Sequence, residues 1–479
     1  MKRIIALVLS ILMLLPLMFS CAMEEGKTNN NTAISGDAGK TLPVIVENLG
    51  NGDTPREFNI MTYQSDYAST ILVTDTQESV LESAVFRRNV SIEQRLNVKI
   101  IIDESKDWYE IPNEVMIMSQ SGEVAYDLYY NVTHLMLPLV NQGAYINAEK
   151  LDVIDYSQEW WDADIQKCLR ISGDTYSLTG AANIQLYDSY TIMAYNNDMA
   201  KELQMPNFAE LALSGNWTWD IMYQNTVKAY NDNDMIEGES YGDTFGFTTN
   251  QELMLSALIC SGESIISYDN NNYPSFDGFS DRTVNIYDQI CAWFYGRNET
   301  VVADFDVKYL GVDHNAFHDI FVDGNALFYR EPVGSLEKLR NSDFEFTVLP
   351  VPKWNAEDEY ITEVCRHAYT FYVPSTTTDL RSIGIFLDNL NYQSYKDVTP
   401  AYVEQIVTLQ RVRNEASYSV LNEIVLVSEK KLPLIACYDW GKLNTRLLTA
   451  AGNGESLASV GASVKRGFKL WVEESLGEK

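Results

Sequence analysis

The sequence predicts an α/β protein, and two observations lead to that prediction. Between residues 57 and 131 the apolar pattern switches repeatedly between the period of a strand and that of a helix. A strand–helix–strand–helix–strand order is typical of an α/β layer with a largely parallel sheet. The same character returns at "NALFYR" and "FEFTVLPVP", after a long middle section. Residues 57–479 exceed the usual length of one domain, so we expect two or three.

The first section contains an amphipathic helix between two strands. Residues 78–96 are predicted to be helical because Leu81, Val85, Ile92 and Leu96 recur at helical spacing. A second, shorter helix is predicted at "NEVMIMSQS". The predicted strands of this section are "EFNIMTY" (57–63), "VKIIID" (98–103) and "YDLYYN" (126–131).

The middle and the end of the chain are predicted to be mainly helical. Residues 175–203 are predicted as a turn, a long extended segment and a helix. "GNWTWDIM" predicts a helix with Thr218 as its N-cap and Asp220 in its first turn. "DTFGFTT" predicts a short strand. Further helices are predicted at 251–261, 281–296, 379–392, 400–413, 415–428 and 455–475.

The charge of the chain argues against one class of partner. The formal net charge is −32, from 35 basic and 67 acidic residues, and no Lys/Arg cluster offsets it. Binding to a phosphate backbone is therefore not predicted, so we expect no nucleic acid partner. Tyr and Trp are abundant, at 29 and 9, and aromatic side chains serve both cores and flat apolar ligand faces such as sugar rings.

The N-terminus predicts secretion. Lys2 and Arg3 precede an apolar run from Ile4 to Phe19, which is short for a bilayer crossing and has the length of a signal peptide. No other window of 18 or more apolar residues occurs, so the mature chain is not predicted to be an integral membrane protein. Residues 1–20 are therefore the expected signal peptide.

Cys21 ends this run and has two interpretations. It is either a small residue near an ordinary cleavage site or the acylated cysteine of a bacterial lipoprotein. "MFSC" resembles a lipobox through Ser20, whereas Met18 and Phe19 differ from the usual residues. Polar sequence follows, and residues 21–56 are the expected lipid-anchored flexible tether. The other five cysteines lack CxxC spacing, so neither a disulfide framework nor a zinc site is predicted, and a single pair stays open.

A series of motifs resembles one known family. In order along the chain they are "VFRRNVSIEQRLNVKI", "YDLYYNVTHLMLPLVNQGAYINAEKL", "YSQEWWDADI", "GDTYSLTGAANIQLYDSYTIMAYNNDMAKEL", "GNWTWDIM", "DIFVDGNALFYR", "FTVLPVPKWN" and "YTFYVPSTTTDLRSIGIFLDNL". The series resembles the family 1 extracellular solute-binding proteins of bacterial ABC importers, which include maltose- and oligosaccharide-binding proteins. It covers nearly all of the mature chain.

The resemblance implies a type II, periplasmic-binding-protein-like fold. Two α/β lobes joined by crossing strands would close by hinge motion on a solute, most readily a carbohydrate, and deliver it to ABC permease subunits. Lobe 1 is expected at 57–185 plus about 345–392, and lobe 2 at about 186–344 plus 393–479. No catalysis and no cofactor are implied. The expected location is the outer face of the cytoplasmic membrane, through the lipid anchor.

Ligand-binding candidates are taken from positions where strands end or where the chain crosses between lobes. Open α/β sheets bind ligands at the carboxyl ends of their strands. Arg330 could present a bidentate fork to hydroxyls or a carboxylate, and the "ACYDWGKL" segment falls where sugar-binding relatives place a stacking aromatic. The candidates are Tyr63, Asp66, Tyr130, Asn131, His134, Gln185, Tyr187, Asp188, Tyr329, Arg330, Tyr438, Asp439 and Trp440. The twin Trp160 and Trp161 are predicted to be packing residues.

Other motifs suggest different chemistry and are disfavoured. "GESYG" lacks a buried strand before Ser240, and "HNAFH" has Asn315 where a metalloprotease needs Glu. A calcium site at Asp232, Asp234 and Glu237 is a weaker interpretation than a solvated loop. Two alternative functions stay open. One is a cell-surface carbohydrate-active hydrolase, because paired carboxylates occur by chance among 67 acidic residues. The other is a ligand-sensing lipoprotein that reports to a membrane receptor.

Overall fold

The computed structural model describes residues 43–63, 79–233, 240, 242–270, 273–303, 316–405 and 414–476. The chain divides into two units, Met1–Pro43 and Val44–Lys479. The predicted signal peptide, Cys21 and most of the tether lie outside the described residues, so these assignments stay predictions. The second unit contains the fold.

The strands of this unit match the predicted ones closely, and several short strands join them. The strands are β1 Arg56–Thr62, β2 Val98–Asp103, β3 Leu128–Val132, β4 Ser177–Leu178, β5 Thr191–Asn196, β6 Phe245–Thr249, β7 Ser267–Tyr268, β8 Pro274–Ser275, β9 Thr300–Val302, β10 Ala326–Pro332, β11 Phe346–Pro350, β12 Ile361–Glu363, β13 Tyr369–Tyr372 and β14 Glu429–Lys431.

The α-helices cover the remaining regular structure, with a few 3₁₀ and π turns between them. They are α1 Val80–Leu96, α2 Ile111–Ser121, α3 Thr133–Met136, α4 Ala163–Cys168, α5 Gln185–Asp188, α6 Asn197–Glu202, α7 Phe208–Leu213, α8 Trp219–Ala229, α9 Leu253–Cys260, α10 Asp281–Phe294, α11 Ala316–Val322, α12 Leu380–Gln393, α13 Thr399–Gln405, α14 Glu415–Val420, α15 Leu434–Tyr438, α16 Leu443–Asn453 and α17 Leu457–Leu476. The 3₁₀ and π turns are Leu137–Gln142, Ala148–Lys150, Val333–Asn341, Ser394–Val398, Leu421–Val425 and Trp440–Lys442.

Within the described residues, two five-stranded sheets form the centre of the fold. The first has the order β2-β1-β3-β13-β4 and the second the order β11-β5-β10-β6-β9. In the first, β1 pairs in parallel with β2 and β3, while β13 is antiparallel to both its neighbours. In the second, β6 is parallel to β9 and β10, while β5 is antiparallel to its neighbours. Each sheet therefore has a parallel half, as predicted. The carboxyl ends of its parallel strands lie at the same edge of that sheet.

Helix ends follow the sequence signals. Helix α1 begins at a capping box, in which the Ser79 hydroxyl accepts from the Glu82 backbone N–H and the Glu82 carboxylate accepts from the Ser79 N–H. The predicted N-cap Thr218 accepts from the backbone N–H of Ile221 and starts α8. Its predicted first-turn residue, Asp220, is also confirmed. The predicted long extended segment differs, because the one-turn helix α5 interrupts it before β5.

The chain passes between the sheets more than once. It leaves the first sheet after β4, returns from β11 to β13, and leaves again before α14, which packs on β11. Two segments differ from the expected lobe partition. Strand β11 pairs with β5 of the second sheet, and the Ser394–Val398 turn with α13 packs against α1 of the first. The other expected lobe boundaries stay predictions.

Trp160 and Trp161 pack as predicted. Both are 5% exposed, and both indole N–H groups donate to the same Oδ1 of Asp388 on α12, at 2.7 and 3.0 Å. One carboxylate oxygen thereby ties the segment before α4 to a helix more than two hundred residues later. Within the described part of the chain, none of the helices combines the length and the apolarity that a bilayer crossing requires.

We expect Asp388→Ala to lower the free energy of unfolding by about 2–4 kcal/mol, because it leaves two buried indole N–H groups without an acceptor. Urea unfolding followed by tryptophan fluorescence measures this loss. Asp388→Asn is the matched control, because its amide oxygen can still accept both bonds, and it should cost clearly less. Equal losses in the two variants would contradict this account.

Candidate functional site

The carboxyl ends of the parallel strands of both sheets meet at the segment that leads into β13. Trp108 follows β2, His134 follows β3 and Glu252 follows β6, while Arg366 and His367 lie just before Ala368 and β13. We call these five residues the interlobe cluster. None of them is fully buried, so this is a place where side chains from both sheets face solvent together.

Aromatic rings form one side of the interlobe cluster. The Trp108 ring lies 6.3 Å from that of His134 and 6.2 Å from that of His367, between ring centroids. The two imidazoles are 4.7 Å apart and nearly perpendicular. Tyr109, 63% exposed, lies against Trp108 with centroids 4.1 Å apart. The ring planes are tilted against one another by 48° to 76°, so Trp108 and Tyr109 each offer a separate apolar ring face to a ligand.

The two histidines are kept neutral. Burial, together with the nearby His367 and Arg366, lowers the pKa of His134 to about 3. Burial also lowers the pKa of His367, although the Glu252 carboxylate opposes this. Near neutral pH both imidazoles are therefore uncharged. The His134 Nδ1 faces the Arg366 carbonyl and the His367 Nδ1 faces Cys365 Sγ, so each ring has its Nε2 left for a polar ligand.

Arg366 connects the two sheets. Its carbonyl oxygen accepts from the backbone N–H of His134 at 3.3 Å, and the His134 Nδ1 lies 3.3 Å from the same oxygen. Its guanidinium Nε lies 3.2 Å from Glu252 Oε1, and the two side chains are 31% and 17% exposed. One residue thus contacts the first sheet through its backbone and the second through its side chain.

A buried polar network around Arg330 adjoins the interlobe cluster. The Arg330 guanidinium donates to Ser256 Oγ from Nε at 2.8 Å, to Asn250 Oδ1 at 3.2 Å and to Glu363 Oε2 at 3.2 Å. Both partners of the Arg330–Glu363 ion pair are 2% exposed. Burial alone would lower the pKa of Arg330, but the surrounding carboxylates, Glu363 first, outweigh it and raise the pKa. Arg330 therefore stays charged.

Glu331 is the next residue of β10, and its pKa is raised above the usual value for Glu. Its Oε1 accepts from Asn250 Nδ2 at 3.0 Å and its Oε2 accepts from Ser335 Oγ at 3.2 Å. Burial raises its pKa to about 7, against the lowering effect of Arg330 beside it. Glu331 consequently exchanges a proton near neutral pH.

The candidates after the first-sheet strands have different places. His134 belongs to the interlobe cluster. Asn131 is fully buried and its Nδ2 donates to the Trp108 carbonyl at 3.0 Å, so it holds the Trp108 loop in place. Tyr130 is buried and donates to Asn183 Oδ1 at 2.6 Å. Tyr63 is half-buried against the core, and Asp66 lies outside the described residues.

The candidates at the first crossing lie in and beside helix α5. Gln185 Oε1 accepts from the backbone N–H of Tyr369 at 3.0 Å. Asp188 Oδ1 accepts from the Tyr402 hydroxyl at 2.6 Å, and the Tyr187 and Tyr402 rings are 5.3 Å apart. These side chains hold the crossing together.

The remaining candidates lie in cores of the second sheet and the C-terminal helices. Tyr329 is 1% exposed beside His318, and the Arg330 fork faces the buried network described above. Trp440 is 0% exposed and its ring stacks on Tyr438, with centroids 4.8 Å apart. Asp439, with φ of 43°, accepts from the backbone N–H and hydroxyl of Thr445. Ligand contact by any of these residues stays a prediction.

The calcium candidates are only partly covered. Asp234 and Glu237 lie outside the described residues, and Asp232 is exposed. Among the residues that the structure describes, no group of three His, Cys, Asp or Glu side chains could hold a metal ion. The five cysteines after Cys21 are free thiols: Cys168, Cys260, Cys291, Cys365 and Cys437.

Sequence reasoning missed Trp108, Tyr109, Glu252, Arg366 and His367. The rule about strand ends could have found Trp108, because "KDWYE" comes after the predicted strand "VKIIID" with two residues between them. Glu252 follows "FGFTT" in the same way. Arg366 and His367 come before a strand, and only the antiparallel direction of β13 brings them to this edge.

Comparison with known proteins gives the fold. No model of a known protein family matches the sequence, and no curated protein matches it significantly. Several solved structures do match. One is a family 1 extracellular solute-binding protein from Bifidobacterium longum subsp. infantis, with a TM-score of 0.57 and 13% identity, covering 87% of this chain and 100% of that one.

Two further structures carry bound saccharides. The ABC substrate-binding protein of Listeria monocytogenes in complex with cycloalternan matches with a TM-score of 0.53 and 12% identity, covering 89% of this chain and 100% of that one. The maltose/maltodextrin-binding domain MalE of Bdellovibrio bacteriovorus bound to maltotriose matches with a TM-score of 0.55 and 10% identity. The match covers 87% of this chain and 100% of that one. The predicted two-lobed, periplasmic-binding-protein-like fold and the resemblance behind it are confirmed.

We expect Glu331→Gln to change how stability depends on pH. Between its usual pKa near 4.5 and its folded pKa of about 7, Glu331 holds a proton that the unfolded chain has lost. Its contribution to stability therefore falls as pH rises through this window. The variant should gain about 1–3 kcal/mol over the parent between pH 5 and pH 8. Urea unfolding at both pH values measures this, with the exposed Glu337→Gln as control. Parallel curves for parent and Glu331→Gln would contradict the assignment.

Proposed function

We propose that this protein is an extracellular solute-binding component of an ABC importer and that it binds a carbohydrate between its lobes. The observation that carries the proposal is the interlobe cluster, where side chains from both sheets meet in a two-lobed fold. Solved proteins with this fold are described as bound to cycloalternan or maltotriose. Clefts at domain interfaces with aromatic walls and a few polar groups are preferred small-molecule sites.

The chemistry of the interlobe cluster supports a saccharide ligand. Trp108 and Tyr109 supply apolar ring faces, and the neutral His134 and His367 each supply one ring nitrogen for a hydrogen bond. Sugar rings present both apolar faces and hydroxyl groups, so one ligand satisfies both kinds of group. Arg330 acts in this proposal as a positioning residue beneath the site.

The mechanism would involve binding without chemistry. A ligand that contacts both lobes stabilises the closed arrangement, in proportion to its preference for that arrangement over the open one. The closed protein would then be recognised by a permease. Lipid anchoring through Cys21 would keep the protein near that permease and raise its effective concentration there.

We expect the purified protein to bind one or more neutral oligosaccharides, such as maltotriose or raffinose, without releasing product. Calorimetry measures binding, X-ray scattering should show a smaller radius of gyration with ligand, and chromatography of the glycan checks for turnover. A shortened glycan would identify a hydrolase. A complete lack of binding across a broad saccharide panel would also reject the proposal.

A pair of variants tests where that ligand binds. Trp108→Ala removes the ring face and should weaken oligosaccharide binding by roughly 2- to 10-fold, the usual range for one aromatic contact. Tyr395→Ala removes a 40% exposed ring of the Ser394–Val398 turn, which bonds to Glu159 outside the interlobe cluster, and should leave affinity unchanged. Equal affinities for the parent and Trp108→Ala would place the ligand elsewhere.

We expect Cys21→Ser to release the protein from the cell surface into the medium or to leave its precursor unprocessed. The physical reason is that the serine hydroxyl cannot carry the thioether-linked lipid. Membrane fractionation and gel mobility of cells expressing either form measure the outcome. Unchanged membrane retention and mobility would show that the cysteine carries no anchor.

A further inference from the structure

The guanidinium of Arg366 has donors to spare. Among the described residues its side chain has the ion pair with Glu252, and its Nε makes no hydrogen bond of good geometry. Arg330 differs, because all three of its guanidinium nitrogens donate within the buried network. The buried Nε of Arg366 faces Glu252, and the side chain as a whole is 31% exposed, so its two terminal nitrogens remain available as donors. A planar fork of this kind matches carboxylates and other anions as well as paired hydroxyls.

The Glu252 carboxylate lies beside the guanidinium that an anionic ligand would approach. Its Oε1 lies 3.2 Å from Arg366 Nε, and its side chain is 17% exposed. A second carboxylate brought to the same fork would meet that negative charge at short range in a partly buried site, where water screens poorly. A neutral hydroxyl would instead find a donor in Arg366 and an acceptor in Glu252.

The charged groups around the Arg366–Glu252 pair also favour neutral ligands over anionic ones. The polar network contains two guanidinium groups and three carboxylates, those of Arg330, Arg366, Glu252, Glu331 and Glu363. The carboxylates outnumber the cations when all are ionised, so the site has no surplus positive charge to attract an anion. The net charge of −32 on the whole chain acts in the same direction.

We propose that Glu252 is a specificity-determining residue, whose carboxylate beside the Arg366 guanidinium restricts the site to neutral, hydroxyl-bearing ligands by excluding anionic ones. The inference deepens the proposed function, since it concerns what the same cleft accepts. Arg366 would donate hydrogen bonds directly to ligand hydroxyls. Glu252 would accept hydrogen bonds from those hydroxyls and would repel anionic ligands. Removing the carboxylate should accordingly convert the site into one that binds anions.

The test uses sulfate as a probe and needs no knowledge of the natural ligand. Thermal shift and calorimetry with low concentrations of sodium sulfate, at ionic strength held constant with sodium chloride, compare the parent with Glu252→Gln. The variant should bind sulfate at least about tenfold more tightly than the parent. The double variant Glu252→Gln with Arg366→Gln should lose this gain, because the fork is then absent.

A matched control comes from a second arginine pair. Arg446 and Glu455 are 32% and 33% exposed and 2.7 Å apart. Glu455→Gln therefore frees a similarly exposed guanidinium and changes the net charge equally, but outside the interlobe cluster. It should give no comparable gain in sulfate affinity. If Glu252→Gln fails to fold, as judged by circular dichroism, Glu252→Ser replaces it.

The outcomes separate this inference from the proposed function. Sulfate binding that appears in Glu252→Gln and disappears in the double variant supports it. The inference is overturned if the parent binds sulfate equally well, if the variant gains nothing, or if the double variant keeps the gain. Failure of every saccharide to bind the parent would reject the proposed function alone, because the sulfate comparison involves no sugar.

Discussion

The buried ion pair between Arg330 and Glu363 is the constraint on which the interlobe region depends. Burying two charges is costly, and such a pair persists only when other hydrogen bonds satisfy its remaining groups. Ser256 and Asn250 supply those bonds to Arg330. Because Glu363 ends β12, the pair fixes the returning chain against the second sheet. The following residues then reach the first sheet, where the Ala368 carbonyl accepts from the Thr133 N–H at 2.8 Å.

This fixed segment determines what kind of side chains the site can present. Arg366 and His367 lie between the two anchored ends, so their positions follow from the packing on both sides. Burial keeps the imidazoles neutral, and the ionised arginines are balanced by carboxylates. The site is therefore polar without being strongly charged. That balance suits a ligand that offers hydroxyl groups, since each group can find a donor or an acceptor without carrying charge into the cleft.

The features predicted correctly from the sequence are those that depend on interactions between residues close together in the chain. Helix α1, its capping box and the strands β1 to β3 depend on periodicity and caps within a short stretch, and they were found to within a few residues. The positions of Trp440 and Arg330 could not be predicted in this way. An aromatic ring in "ACYDWGKL" can face solvent or a core, and only the packing of α17 against this segment shows that Trp440 is buried. Arg366 was not predicted as a site residue for a related reason: its position depends on the direction of β13 relative to β3.

The position of Arg366 also bears on how binding could be linked to lobe arrangement. A ligand shifts a conformational equilibrium only by the difference in its affinity for the two arrangements. A contact with a residue held by one lobe alone is the same in both and contributes nothing to that difference. The Arg366 backbone is bonded to His134, which follows β3 of the first sheet, and its side chain is paired with Glu252, which follows β6 of the second. A ligand hydroxyl shared between Arg366 and Glu252 would therefore be bound best when that pairing is intact, and its binding energy would favour the arrangement that brings the two lobes together.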